Sequence, residues 1–150
     1  MDSTLSLAPL GQHPFCDGLP SAVVAVLDQC AWPLTLAAGD LLFREGGTAD
    51  AFYLIVHGAV AIEVTMPGQK TVVLQTLHEG NSLGWSWLLP PYRWTFGARA
   101  CSPCRLYALD ADTLRATVAS DHEMGFHILS RCIASMGDRL HAARMQMLGS

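Results

Sequence analysis

Between residues 34 and 109 the chain is cut into short apolar runs by turns that carry glycine. Ala38-Gly39-Asp40, Glu45-Gly46-Gly47, His57-Gly58, Met66-Pro67-Gly68-Gln69 and Glu79-Gly80 punctuate it. The runs between them are rich in β-branched and aromatic residues and are too short for helices. Residues 51–56 (AFYLIV) read as a strand buried on both faces. Residues 59–65 (AVAIEVT) alternate, as a half-buried strand does. Residues 34–36, 41–43 and 70–77 read as further strands, and residues 97–109 hold two more around the turn Cys101-Ser102-Pro103-Cys104. Turn signals roughly every eight to twelve residues specify a sandwich or barrel rather than a parallel sheet.

Helices flank this β-rich middle. Pro20-Ser21 opens an apolar stretch that ends near Cys30, with Ser21 or the preceding turn as its cap. Asp112 is placed to cap residues 113–120. Asp121 is placed to cap a long helix over 121–148, with Glu123 favourably set in the first turn. Along that helix Phe126, Leu129, Ile133, Met136, Leu140, Ala143 and Met147 recur at alternating steps of three and four. That spacing is a coiled-coil seam and predicts a parallel homodimer, the alternative being a face packed on the chain's own strands. Residues 1–12 show no period and read as a loosely held arm, leaving residues 13–150 as one domain.

Composition narrows the function classes. The net charge is −4 with nine Lys plus Arg in 150 residues, too few for a basic nucleic-acid face. Hydrophobic residues make up 51% and mean hydropathy is +0.28, yet no apolar run approaches a membrane span. The first basic residue is Arg44, so no secretory or transit signal is expected, and the chain reads as cytoplasmic. The surplus apolar surface points to self-association. Five cysteines, an odd number, argue against a disulfide framework. The Cys101–Cys104 pair reads as a structural turn. The alternative is a redox or metal site completed by Cys16 and Cys30.

Residues 80–100 (GNSLGWSWLLPPYRWTFGARA) hold three of the four tryptophans. Trp85, Trp87, Tyr92 and Trp94 can wall an apolar pocket, and Arg93 and Arg99 supply positive charge beside it. An anion, or an anion bearing a ring, is the ligand class this composition favours. The competing reading is that the rings are core. No arrangement of nucleophile, base and orienting group is legible. Cys101, Cys104 and Asp110 have no histidine placed with them, His57 and His78 are isolated, and His122, His127 and His141 fall on the helix. The chain is not expected to be an enzyme.

The order of these elements resembles the cyclic nucleotide-binding domain of the catabolite activator and FNR-type regulators. The residues that carry the resemblance are His13-Pro14-Phe15 with Gly18-Leu19, Gly39-Asp40, Phe43-Arg44-Glu45-Gly46, and Phe52-Tyr53-Leu54-Ile55 with Gly58-Ala59-Val60. Gly80, Leu83-Gly84 and Ala98-Arg99-Ala100 frame a phosphate-binding cassette, and Met136, Arg139 and Leu140 resemble the long dimer helix. The resemblance implies a double-stranded β-helix, a jelly-roll-like β-roll, followed by a C-terminal dimerisation helix. It implies a small ligand, a cyclic nucleotide or another small anion, held between roll and helix by a short helix over residues 84–88.

Two positions depart from that pattern. Binders place a Glu for the ribose 2′-OH after the second cassette glycine, where this chain has Trp85, a donor-only indole. Their phosphate Arg, counted back from Arg99, falls on Trp94, with Arg93 beside it. The expected site is therefore Gly84, Trp85, Ser86, Arg93, Trp94, Thr95 and Arg99. The expected function is a regulatory sensor domain with an altered pocket that need not take cyclic AMP or GMP. The alternatives are a cysteine-based sensor (Cys16, Cys30, Cys101, Cys104) and a ligand-free dimeric interaction module. Regulators of this type continue into a helix-turn-helix domain. No such segment is read in these residues, and direct DNA binding is not expected.

Overall fold

In the computed structural model, which describes residues 9–149, eight short strands pair antiparallel into two four-stranded sheets. β1 (Ala31–Leu36), β8 (Cys104–Asp110), β3 (Ala51–His57) and β6 (Ser82–Leu83) form one sheet in that order. β2 (Leu41–Phe43), β7 (Gly97–Ala100), β4 (Val60–Thr65) and β5 (Thr71–Leu77) form the other. The turns between them use glycine where the backbone is left-handed, as at Gly39 and Gly58. The result is the expected β-roll, flanked by α1 (Ser21–Gln29), α2 (Ala111–Ser120) and the long α3 (His122–Gly149).

The continuous apolar run in β3 is explained by its position. Ala51, Tyr53 and Ile55 face the core between the sheets, with Val60, Ile62, Ala98 and Leu106. Phe52 and Leu54 face the opposite way, into a second core with Val23, Leu27, Leu109, Leu114 and Ile128 from the helices and β8. Period-two side chains serving two cores leave no polar face on the strand. Burial of each such aliphatic or aromatic side chain contributes about 1.5–3 kcal/mol.

Several boundaries differ from expectation. β6 is only two residues long and exists through its pairing of Leu83 with Tyr53 and Ser82 with Leu54. The cap of α2 is Asp110, not Asp112. Its carboxylate accepts from the Thr113 backbone N–H at 2.9 Å, and the helix begins at Ala111. α1 has Pro20 at its N-cap and no side-chain cap. Asp121 caps α3 as expected, accepting from the Met124 N–H at 3.1 Å. Of the arm expected over 1–12, residues 1–8 lie outside the described residues. Leu10–Gln12 instead form a 3-10 turn, and Leu10 is buried in the second core.

The predicted seam residues on α3 divide by exposure. Phe126, Ile133, Leu140 and Met147 are 66–77% exposed and seven residues apart, while Leu129, Met136 and Ala143 are half-buried. No helix among the described residues is long and apolar enough to cross a membrane.

Candidate functional site

A cavity of about 380 Å³ opens between the β2–β7–β4 sheet, the segment after β6 and the middle of α3. Gly84 starts it. Its φ of +95° is left-handed, and a Cβ there would stand 3.1 Å from the Trp94 ring. A larger residue would strain the backbone and push the ring away. The chain then makes one 3-10 turn, Trp85–Trp87, where the resemblance implied a short helix over 84–88.

The tryptophans take different roles. Trp87 is fully buried and points into the second core, 5.9 Å from the Phe52 ring. Tyr92 carries the Arg115 guanidinium 4.4 Å above its ring and does not line the cavity. Trp94 does line it. It is 5% exposed and stacked on Phe43 at 3.8 Å with 12° between the planes, so it is both core and pocket floor. Trp85 closes the side toward α3. The indole Nε1 atoms of Trp85 and Trp87 are buried without a hydrogen-bond partner among the described residues.

Gly84, Trp85, Ser86, Arg93, Trp94 and Thr95 all line the cavity. Arg99 does not. Ala98 and Ala100 face the core, so strand alternation turns Arg99 outward, where its Nε lies 3.2 Å from Glu63 and its Nη1 donates to the Gly39 carbonyl. Arg93 donates to the Gly46 carbonyl at 3.0 Å, which spends one of its five N–H donors.

The second cation of the cavity is one the sequence reading did not place there, Arg139 of α3. Its guanidinium lies 4.2 Å over the Trp85 ring and its Nε donates to Gln75 Oε1 at 3.2 Å. Burial lowers its pKa to about 10, still charged at neutral pH. The cavity thus joins aromatic walls to two guanidiniums, with no carboxylate in its lining.

The four cysteines considered as a sensor set do not meet. Cys16 is in the second core, Cys30 ends α1, Cys101 is exposed, and Cys104 is in the inter-sheet core, where its thiol donates to the Ala59 and Ser102 carbonyls. Burial pushes the Cys16 thiol up to about 11 and raises Cys30 and Cys104 too, away from the thiolate that redox or metal chemistry needs. Among the described residues no three His, Cys, Asp or Glu side chains converge. Residues 101–104 form the turn that joins β7 to β8.

Residues 33–121 match the family model of the cyclic nucleotide-binding domain. The chain is 26% identical over 129 residues to the CRP-like cAMP-activated global transcriptional regulator of Mycobacterium tuberculosis. That match covers 86% of this chain and 55% of the relative, so the chain spans about half of that protein's length. A Geobacter metallireducens GS-15 structure described as a cyclic nucleotide-binding protein superposes with a TM-score of 0.80 at 24% identity, covering 91% of this chain and 100% of that one. The N-terminal domain of a Streptomyces coelicolor A3(2) transcriptional regulator superposes with a TM-score of 0.68 at 25% identity, covering 93% and 95%. These are regulatory binding domains rather than enzymes. With its sheet order, its glycine-framed cassette and its long final helix, the chain belongs to the cyclic nucleotide-binding domain family.

Proposed function

We propose that this chain is a dimeric regulatory sensor domain whose cavity takes a small anion bearing a ring, in place of cyclic AMP or GMP. The observation that carries the reading is the identity of the two residues at the polar anchor points. Trp85 stands where the resemblance calls for a carboxylate, and Trp94, stacked on Phe43, stands where it calls for the phosphate arginine. A ring-shaped ligand meets the aromatic rings of the lining there, Trp85 and the stacked pair Phe43–Trp94, and its charge meets Arg93 and Arg139. A ribose hydroxyl meets no carboxylate in the lining. Because Arg139 belongs to α3, occupancy biases how that helix lies on the roll, by no more than the ligand's differential affinity for the two positions. The exposed seam of α3 carries that bias to a second copy of the chain.

Thermal melts with cyclic AMP, cyclic GMP, a cyclic dinucleotide and 2-naphthoate test this. A ligand at about 100 times its dissociation constant adds about 2.7 kcal/mol, which is several degrees of Tm for a domain of this size. The expected result is a shift with 2-naphthoate, lost in Arg93→Ala, and none with the nucleotides. A shift with a cyclic nucleotide alone would overturn the altered-pocket reading. Silence from all four would leave the dimeric interaction module.

A further inference from the structure

A second cavity of about 280 Å³ lies on the other side of Arg139, between α3 and the turn that joins β5 to β6. Unlike the aromatic pocket, it has polar side chains at nine of its fourteen lining residues, among them Asn81, Ser82, Arg131, Ser135 and Asp138. Ser82 is 3% exposed, and its hydroxyl is buried with no hydrogen-bond partner among the described residues. A buried hydroxyl left unpaired is destabilising, so a group that pairs with it is favoured. Arg131 Nε donates to the Phe15 carbonyl at 2.8 Å and its Nη2 to the Pro14 carbonyl at 2.9 Å. Those two bonds fix the guanidinium plane and leave three of its five N–H donors, two of them on the Nη1–Nη2 edge. Among the described residues no carboxylate pairs with it.

We propose that this cleft is a binding site, separate from the aromatic pocket, for a small hydroxycarboxylate. Its carboxylate lies across the Nη edge of Arg131 and its hydroxyl pairs with Ser82 Oγ. Charge selects this class. Arg131 and Arg139 against Asp138 leave one net positive charge, which a monoanion balances. A phosphate dianion would overcompensate that single charge and meet the repulsion of Asp138.

The test is a 1H–15N NMR titration of the whole chain with glycerate, and separately with inorganic phosphate and with glycerol, at constant ionic strength. Glycerate is expected to move the amides of Asn81, Ser82 and residues 131–135 saturably and to leave those of Ser86 and Thr95 in place. The last two report on the aromatic pocket, so failure here and failure of the reading above are distinguishable. Ser82→Ala, which loses no existing bond, should weaken glycerate about tenfold. Arg131→Gln should abolish saturation. Linear shifts with glycerate, or full affinity in Ser82→Ala, would overturn the site. Saturation by phosphate instead of glycerate would overturn the ligand class, and saturation by glycerol would overturn the role of Arg131.

Discussion

Arg139 and Trp85, 54 positions apart in the chain, stack with the guanidinium carbon 4.2 Å from the ring centroid. This contact ties the middle of α3 to the turn that walls the pocket. A desolvated pair of this kind contributes about 0.5–2 kcal/mol. A double-mutant cycle with Arg139→Gln and Trp85→Leu, read by urea unfolding, should return a coupling energy in that range. Arg139→Gln alone should also shift tryptophan emission, because the cation leaves the Trp85 indole face. A coupling near zero would mean that the two groups lie together without holding the helix.

Gly58 is the turn residue with the least room. Its φ is +98°, and a Cβ there would stand 2.5 Å from the Pro103 carbonyl oxygen and 2.7 Å from Cys104 Sγ. This is where the Cys101–Cys104 turn clasps the β3–β4 turn, with the Ala59 N–H donating to Ser102 Oγ. Gly58→Ala should cost about 2–4 kcal/mol, from the left-handed backbone and the clash together. Gly68→Ala is the control. Its φ is +73° but nothing lies within 4 Å of its Cβ, so only about 1 kcal/mol should be lost. Equal losses in chemical denaturation would show that backbone strain alone is responsible.

Strand positions were legible because the runs are closed by residues that take a left-handed backbone at little cost, as Gly39 and Gly58 show. β6 was not, since Ser82 and Leu83 have no period of their own and are strand only by pairing with β3. The α2 cap was misread because Asp110 and Asp112 both suit the role. The ladder decided it, since β8 stays paired to Asp110 and the helix can start directly after it. In the site, Arg99 could have been excluded from sequence, because small apolar residues flank it on a strand. Arg139 could not have been included. Its place in the pocket depends on how α3 crosses the roll, a contact of long sequence separation that no local pattern encodes.

His13 makes folding depend on pH. It is 6% exposed, its Nδ1 accepts from the Phe15 N–H at 3.1 Å, and its Nε2 lies 2.9 Å from the Ile55 carbonyl, so the neutral ring with hydrogen on Nε2 fits both bonds. Burial lowers its pKa below the ordinary 6.5. The unfolded chain therefore takes up a proton first as pH falls. The stability that His13 contributes is complete above about pH 6.5 and declines as pH drops from there toward the folded pKa. Urea melts between pH 7.5 and 5 should show this decline, and His13→Gln should flatten it. An unchanged slope in the variant would assign the dependence to a group other than His13.

The α3 seam offers the sharpest test of assembly. Phe126, Ile133, Leu140 and Met147 repeat every seven residues at 66–77% exposure, and each such side chain left in water forgoes about 1.5–3 kcal/mol of burial. A parallel pair of α3 helices buries all four at once, while Met136 already lines the cavity against the roll. Ile133→Asp places a charge in the middle of that seam and touches neither core, because Ile133 is 66% exposed. Sedimentation should show a dimer for the parent chain and a monomer for Ile133→Asp, with unchanged far-ultraviolet circular dichroism. A charge at Gln146, one turn from the end and off the seam, should leave the dimer intact. A parent chain that sediments as a monomer at every concentration would remove the seam from the mechanism, and with it the route by which Arg139 reports the state of the pocket.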